Sequence, residues 1–259
     1  MLYPRVIPCL LVHNKGLVKT VNFKNAKYVG DPINAVKIFN EKEADELMVL
    51  DIDATTDKRE PNYRMIEHLA QECRMPLCYG GGIKNARQAK RVFSLGVEKI
   101  ALSSAIVYKP ELIAEIASEV GSQSVVAVLD VKRKLFGGYD VFIENGSKKA
   151  KINLEKFLVE MNAQGVGEIV INSIDKDGCM EGYDLDLIDK IKPLVKVPLT
   201  VLGGAGSYED ISTLVERYGI IGAAAGSLFV FKGKYRAVLI SYPEPSIKTN
   251  LFKTVMEKS

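Results

Sequence analysis

ADELMVLDID (Ala44–Asp53), MPLCYGGG (Met75–Gly82) and GVEKIALSSA (Gly96–Ala105) are answered later in the chain by VGEIVINSID (Val166–Asp175), VPLTVLGGAG (Val197–Gly206) and GIIGAAAGS (Gly219–Ser227). Glu46 lines up with Glu168 and Gly81 with Gly204, offsets of 122 and 123 residues. A repeat of that length is half of a fold, since solenoid units recur every 20–50 residues or so. Two such halves, about 1–122 and 123–259, are expected to close into one barrel carrying a related binding site in each half.

Short apolar runs alternate with longer helical patterns on either side of these segments. The expected strands are Val6–Val12, Glu46–Leu50, Leu77–Tyr79, Lys99–Leu102, Val125–Asp130, Glu168–Ile171, Leu199–Leu202 and Gly222–Ala225. Their near-continuous hydrophobicity suits strands covered on both faces of a parallel sheet. Amphipathic helices are expected over Asp31–Glu41, Asn62–Glu72, Ala86–Leu95, Pro110–Val120, Asn153–Gln164, Asp184–Ile191 and Tyr208–Arg217. Strand–helix alternation repeated eight times reads as a single α/β domain, a (β/α)₈ TIM barrel. The length of 259 residues agrees with the roughly 250 typical of that architecture. Phe136–Asn145 is expected to make a hairpin-like excursion turning at Gly137–Gly138.

Composition excludes several classes. A net charge of +3 is too small to argue for nucleic acid or a membrane surface as partner. No apolar run approaches the ~18 residues of a membrane span, and MLYPR (Met1–Arg5) lacks the apolar core of a signal peptide. Cys9, Cys73, Cys78 and Cys179 form no CxxC pair, which points to free thiols in a reducing cytoplasm. His13 lies in the first loop and His68 on a helix, with no second ligand spaced for a metal, and no cofactor motif is present.

In such barrels the residues that follow each strand line the catalytic face. That rule selects Leu11, Asp51, Gly80–Gly82, Ser103–Ser104, Asp130, Asn172, Asp175–Gly178, Gly203–Gly206 and Gly226–Ser227. Glycine after a strand lets an anion approach the backbone amides, and a following helix N-terminus adds partial positive charge. Gly81, Gly82, Ser103 and Ser104 would form one cradle; Gly203, Gly204, Gly226 and Ser227 would form its counterpart. Two cradles facing each other suit a small molecule phosphorylated at both ends, whereas one alone would equally well be a tight turn. Asp130 reads either as a buried general acid–base group or as a loop-capping carboxylate. Asp51, Asp175 and Asp177 read as loop organisers, with Asp177 and Gly178 beside the second cradle. Arg5, Glu46, Lys99 and Glu168 stand at strand starts and should converge on the barrel floor. There they form either a salt-bridge plug or a charged gate.

These residues resemble the cyclase subunit of imidazole glycerol phosphate synthase, a histidine-biosynthesis family. The likeness is carried by RVIPCL (Arg5–Leu10), Lys19, Asn22–Phe23, GDP (Gly30–Pro32), DEL (Asp45–Leu47), LDI (Leu50–Ile52) and GGGI (Gly80–Ile83). It continues through GSQ (Gly121–Gln123), SIDKDG (Ser173–Gly178), GYD (Gly182–Asp184) and GGAG (Gly203–Gly206), and fades after about Phe231. The resemblance implies a cytoplasmic enzyme whose N-terminal barrel face docks a glutaminase subunit. It makes Arg5, Glu46, Lys99 and Glu168 an ammonia gate and places Lys19, Asp51 and Asn172 in the substrate loops. It gives the parent reaction as attack of ammonia on a phosphoribulosyl aminoimidazole carboxamide ribotide.

Two aspartates manage the proton transfers in that family. Asp130 matches one, but Leu11 stands where the other is expected, and Ser103 replaces a usual asparagine. A leucine can neither give nor take a proton. The pattern, with the tail YRAVLISYP (Tyr235–Pro243), resembles a paralogous branch tied to surface-glycan synthesis, in which ammonia goes to a sugar amidotransferase forming an amidino group. An active cyclase, a scaffold that only activates a glutaminase and a related two-aspartate barrel isomerase stand as the other readings.

Overall fold

The computed structural model describes residues 3–256; the outermost residues of the expected 1–259 barrel lie outside the described set. Eight parallel strands form the barrel: β1 Arg5–His13, β2 Leu47–Asp51, β3 Leu77–Gly80, β4 Lys99–Leu102, β5 Val125–Arg133, β6 Glu168–Ser173, β7 Leu199–Leu202 and β8 Gly222–Ala225. Each pairs with the next, and β8 closes on β1 with Arg5 opposite Gly222 and Pro8 opposite Ala225. Every residue of β6, β7 and β8 is buried, as strands covered by helices outside and by side chains inside must be.

The helices that cover the barrel are α1 Pro32–Glu41, α2 Tyr63–Glu72, α3 Ala86–Ser94, α4 Leu112–Val120, α5 Leu154–Ala163, α6 Leu185–Ile191, α7 Tyr208–Tyr218 and α8 Pro245–Met256. Six of them start one residue inside a short polar side chain (Asp31, Asn62, Asn85, Asn153, Asp184 or Ser207) that accepts a first-turn amide. The expected starts at Asp31, Asn62, Asn153 and Asp184 are therefore the caps themselves. Helix α8 was not anticipated. It is tied down through the segment before it, where the Tyr242 hydroxyl donates to the Val6 carbonyl at 2.8 Å and accepts from the Asp45 amide at 3.0 Å. Lys248 adds an ion pair to Asp45 at 2.7 Å.

Two antiparallel arms rise from the top of the barrel. The first, Gly16–Val21 with Lys24–Gly30, extends β1 and was not foreseen. Its turns place Asn14, Lys15, Asn22 and Phe23 at positive φ, where asparagine is tolerated better than most residues. The second is the expected excursion, in altered form. β5 itself runs on to Arg133 and pairs with Tyr139–Ile143, so Asp130 sits within the strand, opposite Phe142.

Inward-facing side chains fill the lumen in alternation along each strand. Ile7 and Cys9 of β1, Met48 of β2, Cys78 of β3, Ala101 of β4, Val126 and Val128 of β5, Val170 of β6, Leu202 of β7 and Ala224 of β8 form one apolar cluster. Leu11 and Leu50 pack on its upper edge.

Candidate functional site

Below this apolar column the four strand-start charges do converge. Glu46 accepts from Arg5 Nη1 at 2.5 Å and from Lys99 Nζ at 2.9 Å. Glu168 accepts from Arg5 Nη2 at 2.7 Å and from Lys99 Nζ at 2.9 Å. Each acid therefore touches both bases, closing a ring. Both carboxylates are 4% exposed, while Arg5 and Lys99 keep 26% and 20%, so the ring faces outward through its cations. Burial opposes charge on Glu168, but Arg5 and Lys99 overcome it and hold the carboxyl below its ordinary range. Burial likewise works against Lys99, and the two glutamates raise it.

Sequence reading missed a fifth member. The Thr200 hydroxyl, fully buried, donates to Glu168 Oε1 at 2.6 Å. Gly222 on the adjacent strand leaves room for it, because a Cβ there would overlap Thr200 Oγ1. Gly222→Ala should therefore destabilise the barrel by about 1–3 kcal/mol through overpacking. Urea unfolding of Gly222→Ala with and without Thr200→Ala checks this: the pair should be less than additive, and full additivity would break the link.

Above the lumen lies a cleft of about 460 Å³. Its lining brings together Leu11, Lys19, Asp51, Gly81, Gly82, Ser103, Ser104, Asp130, Asn172, Asp177, Gly178, Gly203, Gly204, Gly226 and Ser227. The two cradles are built alike. Gly81 and Gly204 have φ of 121° and 115°, and a Cβ at either would press on a carbonyl oxygen, that of Asp51 or of Gly182. One-turn helices begin at Ser104 and Ser227, whose first amides lack intrahelical partners. The Ser104 hydroxyl already accepts from the Glu144 amide at 2.9 Å, which brings the tip of the second arm over the first cradle.

The aspartates divide by role. Asp51 accepts from the amides of Asp53 and Ala54, both at 3.1 Å, and pairs with Arg59 at 3.3 Å, so it holds its own loop. Asp175 accepts from the Arg133 amide at 2.7 Å. Asp177 fastens the first arm: its Oδ2 accepts from the Thr20 hydroxyl at 2.6 Å and the Phe23 amide at 3.2 Å. Its carbonyl also accepts from the Asn22 amide at 2.9 Å. Asp177→Ala should loosen this arm by about 1–3 kcal/mol. Amide exchange is the check: Gly16–Gly30 should lose protection while β6 keeps it, and unchanged exchange would contradict the fastening.

Asp130 differs from the others. It ends the apolar run of β5 and takes its hydrogen bond from Asn172 Nδ2 at 2.9 Å. Burial pushes its carboxyl up to about 7; the Asn172 bond works downward and nearby Asp177 upward. A carboxyl with that value exchanges protons at neutral pH. Asp130 itself is half-buried at the cleft, whereas Lys19 is buried: it donates to the Cys9 carbonyl at 2.5 Å, and burial lowers its pKa. Leu11 offers only methyl groups to the same cleft.

The four cysteines are unpaired. His13 lies beside Asp53, at 2.7 Å, away from the cleft lining. Among the described residues no cluster of His, Cys, Asp or Glu has the makings of a metal site, and no helix is long and apolar enough to cross a membrane.

Comparison with known proteins agrees with this geometry. The family model described as histidine biosynthesis protein matches residues 5–236. A Vibrio vulnificus protein provisionally named imidazole glycerol phosphate synthase subunit hisF3 is 61% identical, covering 96% of each chain. A Pseudomonas aeruginosa protein provisionally named subunit hisF2 of the same synthase is 53% identical over 94% of this chain and 97% of its own. The imidazole glycerol phosphate synthase subunit HisF of Streptococcus sanguinis is 38% identical over 88% and 91%. A chain with this barrel, these paired glycine turns and this charged floor, matched over nearly its whole length, belongs to the histidine-biosynthesis protein family, in the HisF branch of imidazole glycerol phosphate synthase subunits.

Proposed function

We propose that this barrel is the ammonia-accepting subunit of a glutamine amidotransferase pair, diverged from the cyclase of histidine synthesis. A glutaminase docks on the N-terminal face, against Arg5, Glu46, Lys99 and Glu168. Ammonia passes the ring, rises through the apolar lumen and reaches a cleft that holds a phosphorylated small molecule between the two cradles. The observation that carries this reading is the continuity of ring, apolar column and cleft along one axis. An apolar column lets neutral ammonia through and disfavours ions, because it offers no replacement for their hydration.

Leu11 at the cleft favours a diverged reaction, the supply of ammonia for an amidino group on a surface-glycan sugar, with a sugar amidotransferase as the third component. One observation supports the parent cyclase instead: Asp130 has the proton affinity of an acid–base catalyst. Turnover of the phosphoribulosyl substrate driven by ammonium salt at alkaline pH separates the two without any partner. Little or no turnover is expected in the folded protein. Turnover that disappears in Asp130→Asn would restore the cyclase reading. Leu11→Asp, which returns a second carboxylate, should raise turnover by about 10²-fold or more if only that position has diverged. No gain would mean the loops around Ser103 have diverged too.

A further inference from the structure

The top layer of the lumen, where it opens into the cleft, differs in chemistry between the two halves of the repeat. Leu11 pairs with Leu50 on β2 as Asp130 pairs with Asn172 on β6. The offset of 122 residues that relates Glu46 to Glu168 also relates Leu50 to Asn172. One half of the cleft floor is therefore a carboxylate bonded to an amide, and the other is a pair of leucines. The next positions along the leucine row, Gly80 and Ala101, add no polar side chain. Gly80 also makes room for its neighbour: a Cβ there would stand 2.7 Å from Leu50 Cδ2, so the leucine lies across the glycine.

These two leucines carry apolar surface that the protein leaves open. One layer below, Ile7, Cys9, Met48, Val126 and Val170 are 0–2% exposed. Leu11 and Leu50 are only partly buried, and both line the cleft. Aliphatic surface open to water in a cleft gains when a ligand covers it with apolar atoms of its own. A hydroxyl laid on it would give up its hydrogen bonds to water and find no partner. We propose that the cleft selects an acceptor that is anionic at both ends and apolar on one side of its middle, with Leu11 and Leu50 as the specificity-determining pair. The covered side is a run of C–H groups: deoxygenated carbons, a methyl substituent or the face of a ring. The opposite side keeps a polar group for Asp130. Leu11 is then more than an absent base, because it rejects a polyhydroxylated chain at the place where it stands. The inference rests on the two-cradle reading of the cleft given above, which it sharpens by naming the substrate class.

Calorimetric binding to the purified barrel provides the test. The probes are α,ω-alkanediol bisphosphates of increasing length and oligoethylene glycol bisphosphates of the same lengths, in which ether oxygens replace some methylenes. Both series carry the same phosphates, so the cradles treat them alike and only the middle differs. At the length that spans the cradles, the alkyl member should bind at least about tenfold tighter than its ether counterpart, since each methylene taken fully out of water is worth about fourfold. Leu11→Asn, neutral and of similar size, should cut that preference to about threefold or less. Leu11→Met, which conserves volume and polarity, should keep it. Equal affinity of the two series would overturn the inference, as would a preference unchanged in Leu11→Asn. If Leu11→Asn does not fold, the wild-type ratio still decides. Bisphosphates that bind well with no alkyl preference would refute this inference alone. An alkanol monophosphate that binds as tightly as the bisphosphate would refute the two-cradle reading, and the inference with it.

Discussion

Asp130→Asn is expected to stabilise the barrel above neutral pH while removing its acid–base chemistry. The folded carboxyl titrates near 7, against 3.8 for the ordinary group, with burial as the main cause. The native state therefore keeps a proton that the unfolded chain releases. Stability falls as pH rises through the window between those two values, and above about 7 the whole penalty is present. A difference of about 3 pH units corresponds to roughly 4 kcal/mol, an upper bound because the carboxyl borders the open cleft. Asparagine escapes the penalty. For a chain of this size, 4 kcal/mol is roughly 8–16 °C in melting temperature. Thermal unfolding at alkaline and at mildly acidic pH gives the check. Asp130→Asn should gain at the former and approach wild type at the latter. Equal or lower stability at alkaline pH would show that Asp130 is structural. A side chain that costs stability at neutral pH is held there by function, so the same variant should lose about 10²–10⁴-fold of any ammonium-driven turnover the barrel supports.

The opposite result is expected at the floor. Glu168→Ala should destabilise by about 3–5 kcal/mol, on the order of 10 °C, because it leaves Arg5 and Lys99 facing each other across Glu46 alone. The pH dependence has a definite sign. Glu168 is held below its ordinary value of 4.5, so its contribution is complete above that pH and fades as pH falls through the folded value. Lys99 is held above 10.5, so its contribution is complete below that value and fades at higher pH. The wild type should therefore lose stability at both extremes, and Glu168→Ala should flatten the acid side. A melting temperature within a degree or two of wild type would refute the ring as a structural unit. Replacing the whole ring with apolar residues should be milder than this single cut, since no charge is then left buried without a partner.

Much of this was legible along the chain. The starts of β4, β5, β6, β7 and β8 and those of several helices coincide with the expected ones or differ by a residue. Both signals are local, an apolar run covered on two faces and a short polar cap binding an amide three residues on. The first arm was not legible. Lys24–Gly30 is exposed over most of its length and shows no apolar alternation, so nothing in it announces a strand. Its order comes from Asp177, more than 150 residues away along the chain. The C-terminal end of β5 differs for a related reason: the apolar run stops at Asp130, yet pairing with Tyr139–Ile143 carries the strand on to Arg133.

The glycine pairs, the four floor charges and many of the residues around the cleft are legible in the sequence, because a repeated motif with a period of about 122 residues marks equivalent strand ends. What the sequence by itself determined was therefore the barrel, its two faces and the residues that each face receives. Only the tertiary structure decided which of them touch: that Thr200 completes the ring, that Asp177 fastens an arm, and that Asp130 is joined to an asparagine whose oxygen is left without a donor. Each of those contacts joins residues 32 to 157 positions apart. Asp130 meets Asn172, and Glu168 meets Thr200, because β5, β6 and β7 pair side by side. Thr20 meets Asp177 because the closed barrel brings the arm of β1 over the loop after β6. That pairing and closure, rather than any local pattern, fix the distances and the proton affinity of the Asp130 carboxyl.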